Sequence, residues 1–156
     1  MNQRILLVEG DVFLRDGLTE VLQNEGYNVI SSDNRMKARE LIKFFSFNLI
    51  IFDVMLPDGN DPELCTELRS PGNDVPILFL IACEEEIQIV CGLDAGTDHY
   101  VTKPFKLREP LYRIRALLRR TFAITVYNSD NTLRKNNFWE LSLYWHYSIN
   151  ITNCAL

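Results

Sequence analysis

Three carboxylates and a lysine carry the chemistry available to this sequence: Glu9, Asp11, Asp53 and Lys103. Asp53 closes the apolar run Leu49-Ile50-Ile51-Phe52 and precedes Pro57, Asp58 and Gly59. Such a run reads as a strand buried on both faces, ended by a turn. The carboxyl edge of an open parallel sheet is where ligands bind, so Asp53 is a better functional candidate than a carboxylate on a helix surface. Glu9 and Asp11 follow a second run of this kind, Ile5-Leu6-Leu7-Val8, and Lys103 follows a third, shorter one. Carboxylates that converge repel one another unless a hard cation separates them, and Mg²⁺ suits one or two carboxylates with water and phosphate oxygens. An ammonium nearby pairs with a carboxylate or a phosphoryl oxygen. Together they would equip a carboxylate to attack phosphorus, where catalysis is mostly positioning and charge neutralisation. Taken singly, Asp53 is equally a solvated strand end and Lys103 more simply a surface lysine.

The elements that must position these residues alternate. Strands are expected over residues 4–8, 27–32, 48–53, 75–82 and 99–101, and helices over 12–24, 36–45, 61–68, 84–95 and 107–120. Apolar residues recur at helical spacing in the first of these helices (Phe13, Leu14, Leu18, Val21, Leu22), and Gly26 suits a left-handed cap. Asp61-Pro62 pairs an N-cap with a proline at the first helical position, and Gly96 is a second candidate cap. Strands and helices in alternation predict an α/β fold, a five-stranded parallel sheet covered on both faces. In the order 2-1-3-4-5, strands one and three flank the switch point and bring Glu9, Asp11 and Asp53 into one crevice.

With 156 residues the chain holds one domain with a sizeable core and a short appendage. A net charge of −5 argues against binding nucleic acid through bulk charge. Cys65, Cys83, Cys91 and Cys154 show no C-x-x-C spacing and read as small buried hydrophobes. There is no signal-peptide pattern and no apolar run of membrane-spanning length, so a cytoplasmic protein without membrane contact is expected.

Val8-Glu9, Asp53-Val54-Met55-Leu56-Pro57, Gly92-Leu93-Asp94-Ala95-Gly96-Thr97-Asp98, Tyr100-Val101-Thr102-Lys103-Pro104-Phe105 and the basic residues 113–120 resemble the receiver domain of two-component response regulators. They are most similar to the class fused to a winged-helix DNA-binding domain. The likeness spans residues 2–120. It implies a flavodoxin-like receiver fold in which Asp53 is the phosphoacceptor, Lys103 contacts the phosphoryl group and Tyr100 is the switch aromatic. It further implies a Mg²⁺ site formed by Glu9, Asp53 and the main-chain carbonyl of Met55, a cis peptide at Lys103-Pro104, and a sensor histidine kinase or other phosphodonor as partner. Asp94, Asp98, Glu109, Arg113 and Arg120 match a homodimer face on the fourth helix, fifth strand and fifth helix, where His99 replaces an acidic residue. The same charges also read as a solvated helix face with pairs such as Glu109 with Arg113.

Three positions depart from the family pattern. Gly10 stands where the direct metal ligand belongs; Asp11, one residue on, is the substitute metal ligand on offer, although a one-residue shift turns its side chain in another direction. Ile81 replaces a serine or threonine whose hydroxyl contacts the phosphoryl group, a bond worth about 1.5–3 kcal/mol. Asp61 stands in place of a loop glycine. The expected function is therefore phosphorelay signalling through Asp53, without enzyme activity beyond self-phosphorylation. The alternative is an atypical, phosphorylation-independent receiver acting as a dimerisation or protein-interaction module. Residues 121–156 form an atypical tail with no Gly or Pro, both tryptophans and six Asn, in which His146 reads as a packing residue. The tail is too short for a winged helix, which makes direct DNA binding unexpected.

Overall fold

The computed structural model describes residues 3–58, 67–68, 74–82 and 99–129, with side chains as far as Arg120. Five strands, β1 (Arg4–Val8), β2 (Asn28–Ser32), β3 (Leu49–Asp53), β4 (Ile77–Ile81) and β5 (Tyr100–Thr102), form one parallel sheet in the order β2-β1-β3-β4-β5. This is the expected fold class. The described helices are α1 (Val12–Asn24), α2 (Arg35–Phe44) and α3 (Arg108–Ser129), the last being the fifth helix of the sequence pattern. Most of the third predicted helix and all of the fourth fall outside the described residues, as do Asp61, Asp94, Gly96, Asp98 and the tail beyond Ser129.

Strands β3 and β4 are buried along their whole length, which is why they carry uninterrupted β-branched and apolar residues rather than an alternating pattern. Successive side chains nevertheless divide between two cores. Leu6, Val8, Ile50, Phe52, Ile77, Phe79 and Ile81 pack with Ala38 of α2. Ile5, Leu7, Leu49, Ile51, Leu78 and Leu80 pack with Leu18 and Leu22 of α1 and with Ile114, Leu117 and Leu118 of α3.

Caps fix the ends of α1. Asp11 Oδ1 accepts a hydrogen bond from the Leu14 N–H at 2.8 Å. At the other end, Gly26 has φ +90°, and the N–H groups of Gly26 and Tyr27 donate to the carbonyls of Gln23 and Leu22, the Schellman arrangement that its glycine foretells. Two boundaries differ from expectation. β4 begins at Ile77 because Pro76 has no N–H to add to a ladder; its carbonyl accepts from Ile50 instead. Helix α3 runs to Ser129, nine residues past the expected end, since nothing from Thr121 onward breaks a helix. The chain divides into two compact units, Met1–Ala123 and Ile124–Leu156. No helix among the described residues is long and apolar enough to cross a membrane.

Candidate functional site

Register brings the strand ends together. Val8 pairs with Phe52, Asp53 with Leu80 and Ile81 with Thr102, so the chain leaves β1, β3 and β5 at one edge of the sheet. Glu9 follows Val8, and its N–H donates to the Ser32 carbonyl at 3.0 Å. Lys103 follows Thr102; its N–H donates to the Ile81 carbonyl at 2.7 Å, and its bond to Pro104 is cis, as the resemblance implies.

Glu9 and Asp53 are 1 % and 4 % exposed, and a charge withdrawn this far from water needs a partner. Lys103 supplies it to both. Its Nζ donates to Glu9 Oε2 at 2.9 Å and to Asp53 Oδ2 at 3.0 Å. The second oxygen of each carboxylate takes a main-chain donor: Glu9 Oε1 accepts from the Asp11 N–H at 2.9 Å and Asp53 Oδ1 from the Met55 N–H at 3.0 Å. Burial, and then the negative charge of Glu9, push the Asp53 carboxyl up to about 6 despite the hydrogen bonds from Lys103 and Met55. Burial works against the charged form of Lys103 too, but its hydrogen bond to Glu9 and the charge of Asp53 prevail and hold its ammonium above the usual range.

None of the other described candidate residues brings its side chain into this triad, although the main chains of Asp11 and Ile81 adjoin it. Asp11 is exposed, with Oδ1 committed to capping α1. Ile81 is wholly buried in the core on the α2 side of the sheet. Tyr100 is exposed on the edge strand β5. Glu109 and Arg113 form an i,i+4 pair at 3.5 Å on α3, both about half exposed, and Arg120 lies exposed further along that helix.

Sequence reasoning missed two supports. Arg15 Nη1 donates to the Glu9 carbonyl at 2.9 Å and reaches the Gly10 carbonyl at 3.5 Å, pinning the turn that carries Glu9. Asp58 accepts from the N–H groups of Arg35 and Met36 at 2.9 and 3.3 Å, tying the segment after Asp53 to the start of α2. Only the four-residue spacing of Arg15 from the Asp11 cap hinted at the first; the sequence carries no signal for the second.

The donors present do not make a complete divalent site. All four oxygens of Glu9 and Asp53 already accept hydrogen bonds, and the ammonium of Lys103 lies between the two carboxylates. Gly10 offers no side chain, and among the described residues no three His, Cys, Asp or Glu side chains gather as a metal-holding group.

A family model described as the response regulator receiver domain matches residues 5–115. A probable transcriptional regulatory protein of Picosynechococcus sp. is 44 % identical over 148 residues, covering 90 % of this chain and 58 % of that protein. The response regulator MprA of Mycobacterium ulcerans is 44 % identical over 121 residues, covering 78 % of this chain and 52 % of the relative. The chain thus spans about half the length of the curated relatives it matches. Among solved structures, a Francisella response regulator receiver domain superimposes with a TM-score of 0.68 at 26 % identity, over 77 % of this chain and 99 % of that one. A two-component response regulator from Clostridium difficile gives 0.68 at 28 %, over 76 % and 98 %. Parallel strand order, the carboxylate and lysine at its carboxyl edge, and these matches lead to one assignment: the chain belongs to the response regulator receiver domain family of two-component signalling.

Proposed function

We propose that Asp53 is the phosphoacceptor of this receiver and that a sensor histidine kinase, or a small phosphodonor, supplies the phosphoryl group. The observation that carries the reading is the bridge by Lys103 between buried Asp53 and Glu9 at the carboxyl edge of the sheet. One carboxylate oxygen of Asp53 attacks phosphorus. The bond from phosphorus to the donor's imidazole nitrogen or acyl oxygen breaks, its electron pair leaves with the donor, and an aspartyl phosphate results. Lys103 neutralises charge that develops on the phosphoryl oxygens. The family's Mg²⁺ site is weakened or absent here, because Gly10 supplies no ligand. Beyond self-phosphorylation the domain acts as a signalling module in the cytoplasm. Its output runs through Tyr100 of β5, α3 and the predicted fourth helix, which pair two copies of the chain.

Incubation with a small acyl phosphate and measurement of intact mass tests the reading. The wild type gains one phosphoryl group and Asp53→Asn gains none; no gain at millimolar donor, or equal gain by the variant, overturns it. The burial of Ile81 where a hydroxyl belongs favours a second reading, a receiver whose pairing is independent of phosphorylation. That reading predicts the same sedimentation profile with and without the phosphodonor, disturbed by Arg113→Ala.

A further inference from the structure

A β-carbon built on Gly10 would lie 2.8 Å from Pro57 Cδ, closer than two carbons approach, and a tight 3.2 Å from Pro57 Cγ. The missing side chain therefore leaves no vacancy: the ring of Pro57 packs against the backbone of Gly10. Next to it, Asp58 fastens the segment. Its carboxylate accepts from the N–H groups of Arg35 and Met36, and the Arg35 guanidinium both pairs with that carboxylate at 3.5 Å and donates to the Asp58 carbonyl. A helix N-terminus favours an anion, so this hold on α2 is favourable in itself. Hydrogen bonds from Arg35 and Met36 outweigh burial and keep the Asp58 carboxyl below the usual range, so the hold persists at neutral pH.

We propose that the crevice works without a resident divalent cation, with Lys103 as its built-in counterion and Pro57, latched by Asp58 onto α2, packed into the place of the absent ligand at residue 10. The inference deepens the reading of the crevice as the phosphoacceptor site. Two carboxylates facing a single ammonium satisfy one another through hydrogen bonds at 2.9 and 3.0 Å. Mg²⁺ needs near-octahedral room and sheds water reluctantly, so between these carboxylates it would have to displace Lys103, and a side-chain ligand restored at residue 10 would have to displace the Pro57 ring.

Mn²⁺ is the probe, followed by the loss of its free-ion electron paramagnetic resonance signal. The wild type is expected to show no crevice binding up to about 1 mM Mn²⁺. Weak binding that survives both Glu9→Gln and Asp53→Asn lies elsewhere on the acidic surface and agrees with the proposal. Binding below about 1 mM that either substitution abolishes overturns it. The double variant Gly10→Asp/Pro57→Gly should bind at least about tenfold more tightly than Gly10→Asp alone. Equal affinity would show that Pro57 obstructs nothing. The wild-type titration needs no variant to fold. Phosphodonor reactions with Mg²⁺ and with a chelator separate the two readings. Equal mass gain in both supports the inference, and gain only with Mg²⁺ overturns it while leaving Asp53 as acceptor. No gain in either overturns the acceptor reading and leaves the Mn²⁺ titration to decide this one.

Discussion

Asp53 is a carboxylate asked to hold its charge where water scarcely reaches, and this sets a measurable pH dependence. Its carboxyl moves from an ordinary 3.8 up to about 6 in the folded chain, chiefly through burial and then through Glu9. Between those values the folded state keeps a proton that the unfolded state has released. The resulting stability is complete below the lower value and disappears as pH rises through the upper one. Near pH 7.5 the ionised group therefore costs up to about 3 kcal/mol relative to low pH, at 1.36 kcal/mol per unit. Asp53→Asn does not titrate. Its stability advantage over the wild type, from urea unfolding in chelator, should grow by about that amount between pH 4 and 7.5, and a difference flat in pH would refute the account. The residue types of Glu9, Asp53 and Lys103 and their places after apolar runs were legible in the sequence. Apart from the spacing of Arg15 from Asp11, the engagement of Arg15, Pro57 and Asp58 was not, because those contacts are chiefly to main-chain groups or to the bare backbone of a glycine, which side-chain patterns do not announce.

Helix α1 shows at the scale of an element why Asp11 is better understood as a cap than as a metal ligand. Its Oδ1 satisfies the Leu14 N–H, one of four donors that the first turn leaves without a helical partner. Its own N–H, not its side chain, makes the contact to Glu9. Asp11→Ala should therefore destabilise the domain by about 1 kcal/mol in urea unfolding, whereas Asp11→Asn, an equally good cap, should be nearly neutral. A loss as large for Asn as for Ala would point to a role for the charge itself. The limits of α1 were readable from local chemistry, with Asp11 before the periodic apolar residues and Gly26 after them. The length of α3 was not. Its arginine-rich stretch at residues 113–120 resembles a helix end, but a helix stops where a breaker or a competing cap stops it, and residues 121–129 contain neither.

At the scale of the molecule, the described members of both cores fall within residues 5–118. One face of the sheet buries Phe79 and its neighbours with Ala38, and the other packs Leu78 and Leu80 between α1 and α3. Alternating strands and helices made the parallel sheet covered on both faces legible, whereas its order 2-1-3-4-5 is one of several that right-handed crossovers allow and came with the likeness to a receiver. Which side chains form each core then follows from the two-residue period of a strand. We propose that the receiver domain comprises residues 1–120 and that 121–156 are an appendage to it, so a chain of residues 1–129, which keeps the whole of α3, should unfold in one cooperative transition at an unchanged midpoint. It should also take up a phosphoryl group from a small phosphodonor to the same extent as the full chain. Loss of cooperativity would mean that the tail stabilises the receiver. Retained cooperativity with lost uptake would mean that residues 130–156 act on the chemistry at Asp53, since the strand ends that carry Glu9, Asp53 and Lys103 would be intact.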